Sequence, residues 1–113
     1  MTDFPVDVRF FRLAGLSEPV VDWLGGLKDR EGKAAIHKAI AKMRLGNFGD
    51  SKPVGKGVLE RRIDTGPGYR VYYGRHGGNV VILLCGGDKK SQKRDINTAI
   101  RYWEMFKSLG TDK

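Results

Sequence analysis

The chain contains a single cysteine, Cys85, among its 113 residues. An internal disulfide is therefore excluded, and one thiol at the end of an apolar stretch is typical of a small buried hydrophobe in a reducing compartment. No apolar run approaches the ~20 residues that a membrane-spanning helix needs. The opening residues, MTDFPVDVRFF, show neither a basic leader nor a long apolar stretch. We therefore expect a cytoplasmic protein without a secretory signal or a membrane partner.

The side chains that most enzymes use are also scarce. His37 and His76 are far apart, and there is no Cys-x-x-Cys pair, so the pattern predicts no metal site. No Ser-His or Cys-His pairing is evident, and the glycines form neither a Walker nor a dinucleotide-binding pattern. We expect no metal and no cofactor.

Acidic residues are scarce in one stretch, between residues 52 and 94. That stretch holds ten lysines and arginines against three acids, a net charge of +7 out of +8 for the whole chain. The segments on either side are nearly balanced. A basic surface concentrated in this way predicts a polyanionic partner, and a solvated sheet edge with charged loops is the alternative.

The spacing of apolar residues predicts one domain over residues 1–113, with the element order β-α-α-β-β-β-α. Two helices are expected between Ser17 and the GNFGD turn at 46–50, and a C-terminal helix from about Ser91 to Leu109. Alternation of period two marks three later strands, and the apolar run Val80 to Cys85 is typical of a strand covered on both faces. We expect an α+β fold, a small twisted and mainly antiparallel sheet with helices packed on one face.

The later strands are expected to bring charged side chains together. If Leu59 and Ile63 face the helices, Glu60 and Arg62 point outward, and strand pairing brings them near Arg70. The segment GGDKKSQKRD, residues 86–95, then places four cations at a helix start, where each costs ~0.3–1 kcal/mol. The expected site is walled by Arg62, Arg70, Lys89, Lys90, Lys93 and Arg94, with Glu60 and Asp95 as its acids.

These residues fit the cleavage of RNA, which brings its own nucleophile in the 2′-hydroxyl. Arginine suits the phosphoryl oxygens because its planar fork bonds two of them at once. The proton can be taken by Glu60, by Asp95 or by a lysine, since lysines crowded among cations release protons more readily. Lys56 is a further candidate phosphate contact. Tyr72 is the tyrosine best placed to stack on a base, although packing within the sheet is the alternative.

Residues 57–96, GVLERRIDTGPGYRVYYGRHGGNVVILLCGGDKKSQKRDI, resemble the bacterial RelE/ParE toxin superfamily, and within it the addiction-module killer proteins near the HigB-like toxins. RelE-type members are mRNA endonucleases that often act at the ribosome, and ParE-type members poison DNA gyrase. The resemblance implies that Arg70 matches the arginine that follows the middle-strand tyrosine, and that Lys89 or Lys90 matches a cation after the last strand. This chain departs from the RelE-type pattern in two places: the lysine pair falls on Glu60 and Arg62, and the tyrosine of the final helix falls near Asp95.

The resemblance also implies a partner, a cognate antitoxin encoded next to this protein and expected to be of the helix-turn-helix type. The sequence thus predicts a type II toxin with endoribonuclease activity on mRNA, acting with the ribosome. A gyrase inhibitor without nuclease activity and a nucleic-acid-binding module without cleavage are the alternatives.

Overall fold

The computed structural model of the chain describes residues 5–15 and 17–109. Over these residues the secondary structure follows the predicted order with one additional strand. The elements are β1 (Asp7–Phe10), α1 (Pro19–Gly26), α2 (Arg30–Arg44), β2 (Ser51–Gly55), β3 (Val58–Ile63), β4 (Tyr69–His76), β5 (Val80–Gly87), a 3-10 turn (Lys89–Ser91) and α3 (Gln92–Ser108).

The five strands form one sheet in the order β1-β5-β4-β3-β2. β2, β3, β4 and β5 pair antiparallel in sequence, and β1 joins β5 in parallel at the far edge. The predicted α+β class and the mainly antiparallel sheet are confirmed. The additional strand, β2, begins immediately after the GNFGD turn, where Pro53 and Gly55 weaken the period-two signal.

Two apolar clusters cover the two faces of the sheet. On β4, Val71 and Tyr73 belong to the cluster that includes α1 and α2, whereas Tyr72 belongs to the cluster that includes α3. Neighbouring residues of a strand point to opposite faces, so the two clusters lie on opposite sides. α1 and α2 thus share one face as predicted, and α3 packs against the other. This follows from β5, whose residues are apolar on both faces.

The helix cores match the predicted spacing. In α2, Ile36, Ile40 and Met43 are buried, and the helix begins where the Asp29 side chain accepts a hydrogen bond from Gly32 N at 3.0 Å. In α3, Ala99 and Trp103 are buried. Among the described residues, no helix is long and apolar enough to cross a membrane.

Candidate functional site

Strand register brings the basic residues of β3 and β4 to one end of the sheet. Arg62 pairs with Arg70 across β3 and β4, and Arg70 pairs with Gly87 across β4 and β5. β5 ends at Gly87 and the chain turns directly into the 3-10 turn, which begins at Lys89. The predicted convergence of Arg62, Arg70 and Lys89 therefore results from the pairing of three consecutive strands.

A pocket of about 310 Å³ opens at this end of the sheet. Arg70 is recessed in it, with only 7% of the residue exposed, and its Nη1 donates a hydrogen bond to Gly68 O at 2.9 Å. Its walls are formed by the ends of β3 and β4 with the turn between them, by Asp50 just before β2, and by Lys89 of the 3-10 turn. The lining residues are Asp50, Arg62, Ile63, Asp64, Gly68, Tyr69, Arg70 and Lys89.

Glu60 does not face solvent, contrary to the sequence prediction. It is fully buried at 0% exposure, because α3 covers the face of β3 that was expected to be open. Its Oε2 accepts hydrogen bonds from the Tyr72 hydroxyl at 3.0 Å and from Gln92 Nε2 at 2.8 Å. Arg70 Nε lies 3.4 Å from the same oxygen. Glu60 thus lies behind Arg70, as its counter-charge, and does not line the pocket.

Tyr72 is likewise buried at 0% exposure and is not available to stack on a base. The alternative interpretation of this residue, packing within the sheet, is the one that the structure shows. Burial is the largest cause of a raised pKa of the Tyr72 hydroxyl, and the nearby Glu60 carboxylate raises that pKa further. The hydroxyl therefore keeps its proton and serves as a donor to Glu60.

Gln92 was not identified from the sequence as a site residue. It is the first residue of α3, and its side chain reaches across to Glu60 on β3. A glutamine between the cations of KKSQKR carries no charge signal, and its partner lies 32 positions earlier in the chain. Only the packing of α3 on the sheet brings the two together.

The basic helix start is stabilised by an acid within it. The Asp88 carboxylate accepts hydrogen bonds from Lys90 N at 2.9 Å and from Ser91 N at 3.3 Å, and so caps the 3-10 turn. A carboxylate at this position offsets part of the repulsion among the cations. The side chains of Lys89 and Lys90 remain exposed on the turn.

Lys93 and Arg94 are exposed on the first turn of α3, outside the lining of the pocket. Asp95 is mostly buried, with 14% of its side chain exposed. Its Oδ2 accepts a hydrogen bond from the Ser91 hydroxyl at 2.5 Å, and a side chain in place of Gly87 would collide with it. Asp95 thus holds the helix start through Ser91, occupies the space beside Gly87 at the end of β5, and is not among the residues lining the pocket.

Of the two remaining predicted residues, Arg62 lines the pocket and Lys56 does not. Arg62 lines the pocket, with 44% of its side chain exposed and its Nε 3.2 Å from Asp50 Oδ2. Lys56 lies in the turn between β2 and β3, whereas the pocket lies at the far end of β3, beside Ile63. Lys56 is therefore separated from the pocket by the full length of β3, and its role as a phosphate contact stays a prediction.

Cys85, His37 and His76 are not among the residues that line the pocket. The Cys85 side chain is buried, and burial is the main cause that raises the pKa of its thiol to about 12, helped by Asp95. His76 packs edge-on against the Phe106 ring, with the ring centres 5.4 Å apart. Among the described residues, no group of three or more His, Cys, Asp and Glu side chains is arranged to hold a metal ion.

The fold and the pocket define a small α+β protein with a recessed arginine beside basic residues at the start of a helix. Residues 22–104 match the family described as "Phage derived protein Gp49-like (DUF891)", and the chain belongs to this family. The chain is also similar to a protein of Haemophilus influenzae whose description is "Uncharacterized protein". The two are 52% identical over 77 residues, which cover 68% of this chain and 78% of the relative.

Proposed function

We propose that this protein is a toxin of a type II toxin–antitoxin system that cleaves mRNA, as RelE-type members of the RelE/ParE superfamily do. The observation that carries the proposal is Arg70, recessed in the 310 Å³ pocket with Lys89 and Arg62 in its walls. The Gp49-like family and the α+β fold support it, since both are compatible with a RelE-like protein.

The pocket suits a phosphodiester with an attacking 2′-hydroxyl. In the transition state the phosphorus carries five oxygens and additional negative charge, which preorganised cations stabilise. Arg70 can bond two phosphoryl oxygens through its planar fork, and Lys89 can neutralise a third or the departing 5′ oxygen. DNA lacks the 2′-hydroxyl, so the same pocket would leave DNA intact.

Burial narrows the candidates for proton transfer. Glu60 is fully buried and bonded to Tyr72 and Gln92, and Asp95 is bonded to the Ser91 hydroxyl. Neither carboxylate lines the pocket, so both are assigned to holding the site. We assign proton transfer to the exposed lysines of the 3-10 turn, Lys89, which lines the pocket, and its neighbour Lys90.

We further propose that an antitoxin covers this end of the sheet. An acidic or helical segment would neutralise Lys89, Lys90, Lys93 and Arg94, which are exposed. The adjacent reading frame is expected to encode that antitoxin, as a helix-turn-helix protein. Its co-expression should restore growth of cells that produce this chain.

The test uses Arg70→Lys, which keeps a positive charge next to Glu60 but loses the bidentate fork. Protein made in a cell-free system is added to purified mRNA, with and without translating ribosomes, and the new 5′ ends are mapped. We expect cleavage by the native protein, and a loss of about 10²- to 10³-fold in Arg70→Lys. Arg30→Ala is the matched control, because Arg30 is an exposed arginine at the start of α2, on the other face of the sheet.

Two further results decide between the classes of function. A 2′-deoxy substitution at the mapped cleavage site should abolish cleavage there. Intact mRNA together with inhibited supercoiling by gyrase would overturn the proposal in favour of a gyrase inhibitor. Tight, salt-sensitive RNA binding without products would overturn it in favour of a binding module.

A further inference from the structure

Three side chains converge on one buried oxygen, Glu60 Oε2. The Tyr72 hydroxyl and Gln92 Nε2 donate hydrogen bonds to it at 3.0 and 2.8 Å, and Arg70 Nε lies 3.4 Å away. Glu60 comes from β3, Tyr72 and Arg70 from β4, and Gln92 from the first residue of α3. One carboxylate thus connects two strands of the sheet with the helix that packs on them.

The arrangement is poorly explained by stability alone. A buried ion pair is often no more stabilising than a pair of apolar side chains of similar size. Here two of its atoms, Glu60 Oε1 and Arg70 Nε, are buried without a hydrogen-bond partner among the described residues. Leaving a buried polar atom unpaired is unfavourable for folding. Apolar side chains can often fill a purely structural role as well, so we look for a functional reason for the charged group.

Gln92 connects the two basic parts of the pocket. The 3-10 turn that carries Lys89 ends at Ser91, and Gln92 follows it directly. Its amide bonds to the same carboxylate oxygen that faces Arg70. A displacement of the helix start would therefore change both the position of Lys89 and the environment of Arg70.

We propose that Glu60 and Gln92 are positioning residues for RNA cleavage, holding Arg70 and the Lys89 turn at a fixed separation around one phosphate. The inference rests on the proposed ribonuclease function. Two contacts hold Arg70: an ion pair with Glu60, without a hydrogen bond at Nε, and the hydrogen bond from Nη1 to Gly68 O. Arg70 itself lines the pocket, next to Lys89.

Two variants of Gln92 separate positioning from folding. Gln92→Leu removes the donor and keeps the size of the side chain. Gln92→Glu places a second carboxyl group against Glu60. The two carboxyl groups can form a hydrogen bond only when one of them is protonated. The matched control is Asn97→Leu, because Asn97 is an exposed amide on the same helix.

The first measurement is kinetic, on the RNA substrate mapped above. For Gln92→Leu we expect kcat to fall by about 10- to 100-fold with KM nearly unchanged, because a misplaced group weakens transition-state contacts. For Gln92→Glu, activity relative to the native protein should rise as the pH is lowered, because protonation restores a donor to Glu60. Asn97→Leu should cleave as the native protein does.

The second measurement needs no catalysis. Hydrogen exchange at Arg70 Nε–H is followed by NMR, with the signal assigned by its loss in Arg70→Lys. In Gln92→Leu the exchange should be at least about tenfold faster than in the native protein, as expected for a local opening that has become easier. This readout holds even for a variant whose activity is too low to measure.

The outcomes distinguish the inference from the function on which it rests. If Arg70→Lys retains full cleavage, or the native protein cleaves no RNA, the proposed function fails. If Arg70→Lys is inactive but Gln92→Leu keeps kcat within a factor of about 2, the positioning role fails. An unchanged Arg70 exchange rate in Gln92→Leu, or a Gln92→Glu profile parallel to that of the native protein at every pH, also overturns it.

Discussion

Replacing Glu60 with leucine should test how the buried charge is balanced. Glu60 is 0% exposed and Arg70 is 7% exposed, so Glu60→Leu leaves a guanidinium buried without its counter-charge. Breaking a buried ion pair in this way costs about 3–5 kcal/mol. Tyr72 and Gln92 also lose their acceptor. We therefore expect a decrease of at least about 3 kcal/mol in the free energy of unfolding, a large fraction of the ~5–15 kcal/mol typical of a small domain.

The double variant Glu60→Leu/Arg70→Met gives the sharper result. It removes both charges, and an apolar pair is often as stable as the buried ion pair it replaces. Most of the lost stability should return, while RNA cleavage stays absent because Arg70 is gone. The free energies of unfolding of both variants and the native protein are measured in urea. Equal m-values show that the change lies in stability and not in the surface exposed on unfolding.

The control is Asp50→Asn, which breaks the exposed pair between Arg62 and Asp50, with side-chain exposures of 44% and 61%. It should cost less than about 1 kcal/mol. If Glu60→Leu costs no more than this control, Arg70 is not held by a buried charge pair. If the double variant is no more stable than Glu60→Leu, the unpaired guanidinium is not the source of the loss.

Two further predictions concern the packing on either face of the sheet. A Cβ at Gly74 would lie 2.5 Å from the Trp103 ring, so Gly74→Ala should destabilise the protein by about 1–3 kcal/mol, as measured by thermal unfolding. The control is Gly78→Ala, at a position with open space around it, which should change stability by less than about 0.5 kcal/mol. On the other face, burial and the hydrogen bond to Asp29 raise the pKa of Tyr69 from 10.0 to about 12. Folding therefore favours the neutral phenol of Tyr69. Its contribution to the free energy of unfolding should be lost as the pH rises from 10.0 to about 12. The difference in phenolate absorbance between the native protein and Tyr69→Phe measures this titration, and an ordinary pKa near 10.0 would contradict it.

Gly74 also shows how a residue type can be explained only by a contact distant in sequence. A glycine inside a strand has no side chain to pack and generally weakens the strand. In the structure, the Trp103 ring of α3 occupies the space of its side chain, and the same ring stacks on Phe106 with centres 5.4 Å apart. The absence of a side chain at Gly74 thus makes room for the Trp103 ring.

Local patterns were sufficient for most of the secondary structure. The spacing of Ile36, Ile40 and Met43 gives the buried face of α2, and the short connection between β3 and β4 implies their antiparallel pairing. β2 was missed because its five residues, SKPVG, combine polar side chains with a proline and a glycine. These are short-range properties, and they follow from the chemistry of neighbouring residues.

The sequence by itself determined that the positive charge is concentrated between residues 52 and 94, and that Arg70 lies near the start of one strand while the KKSQKR segment follows the next. Alternation of residues in a strand says which side chains share a face, but not which face a helix covers. Only the packing of α3 decided that. It buried Glu60 and Tyr72, brought Gln92 to Glu60 from 32 residues away, and left Arg70 recessed in the pocket. A carboxylate predicted to face solvent became the buried partner of an arginine, because burial depends on long-range contacts that no local pattern encodes.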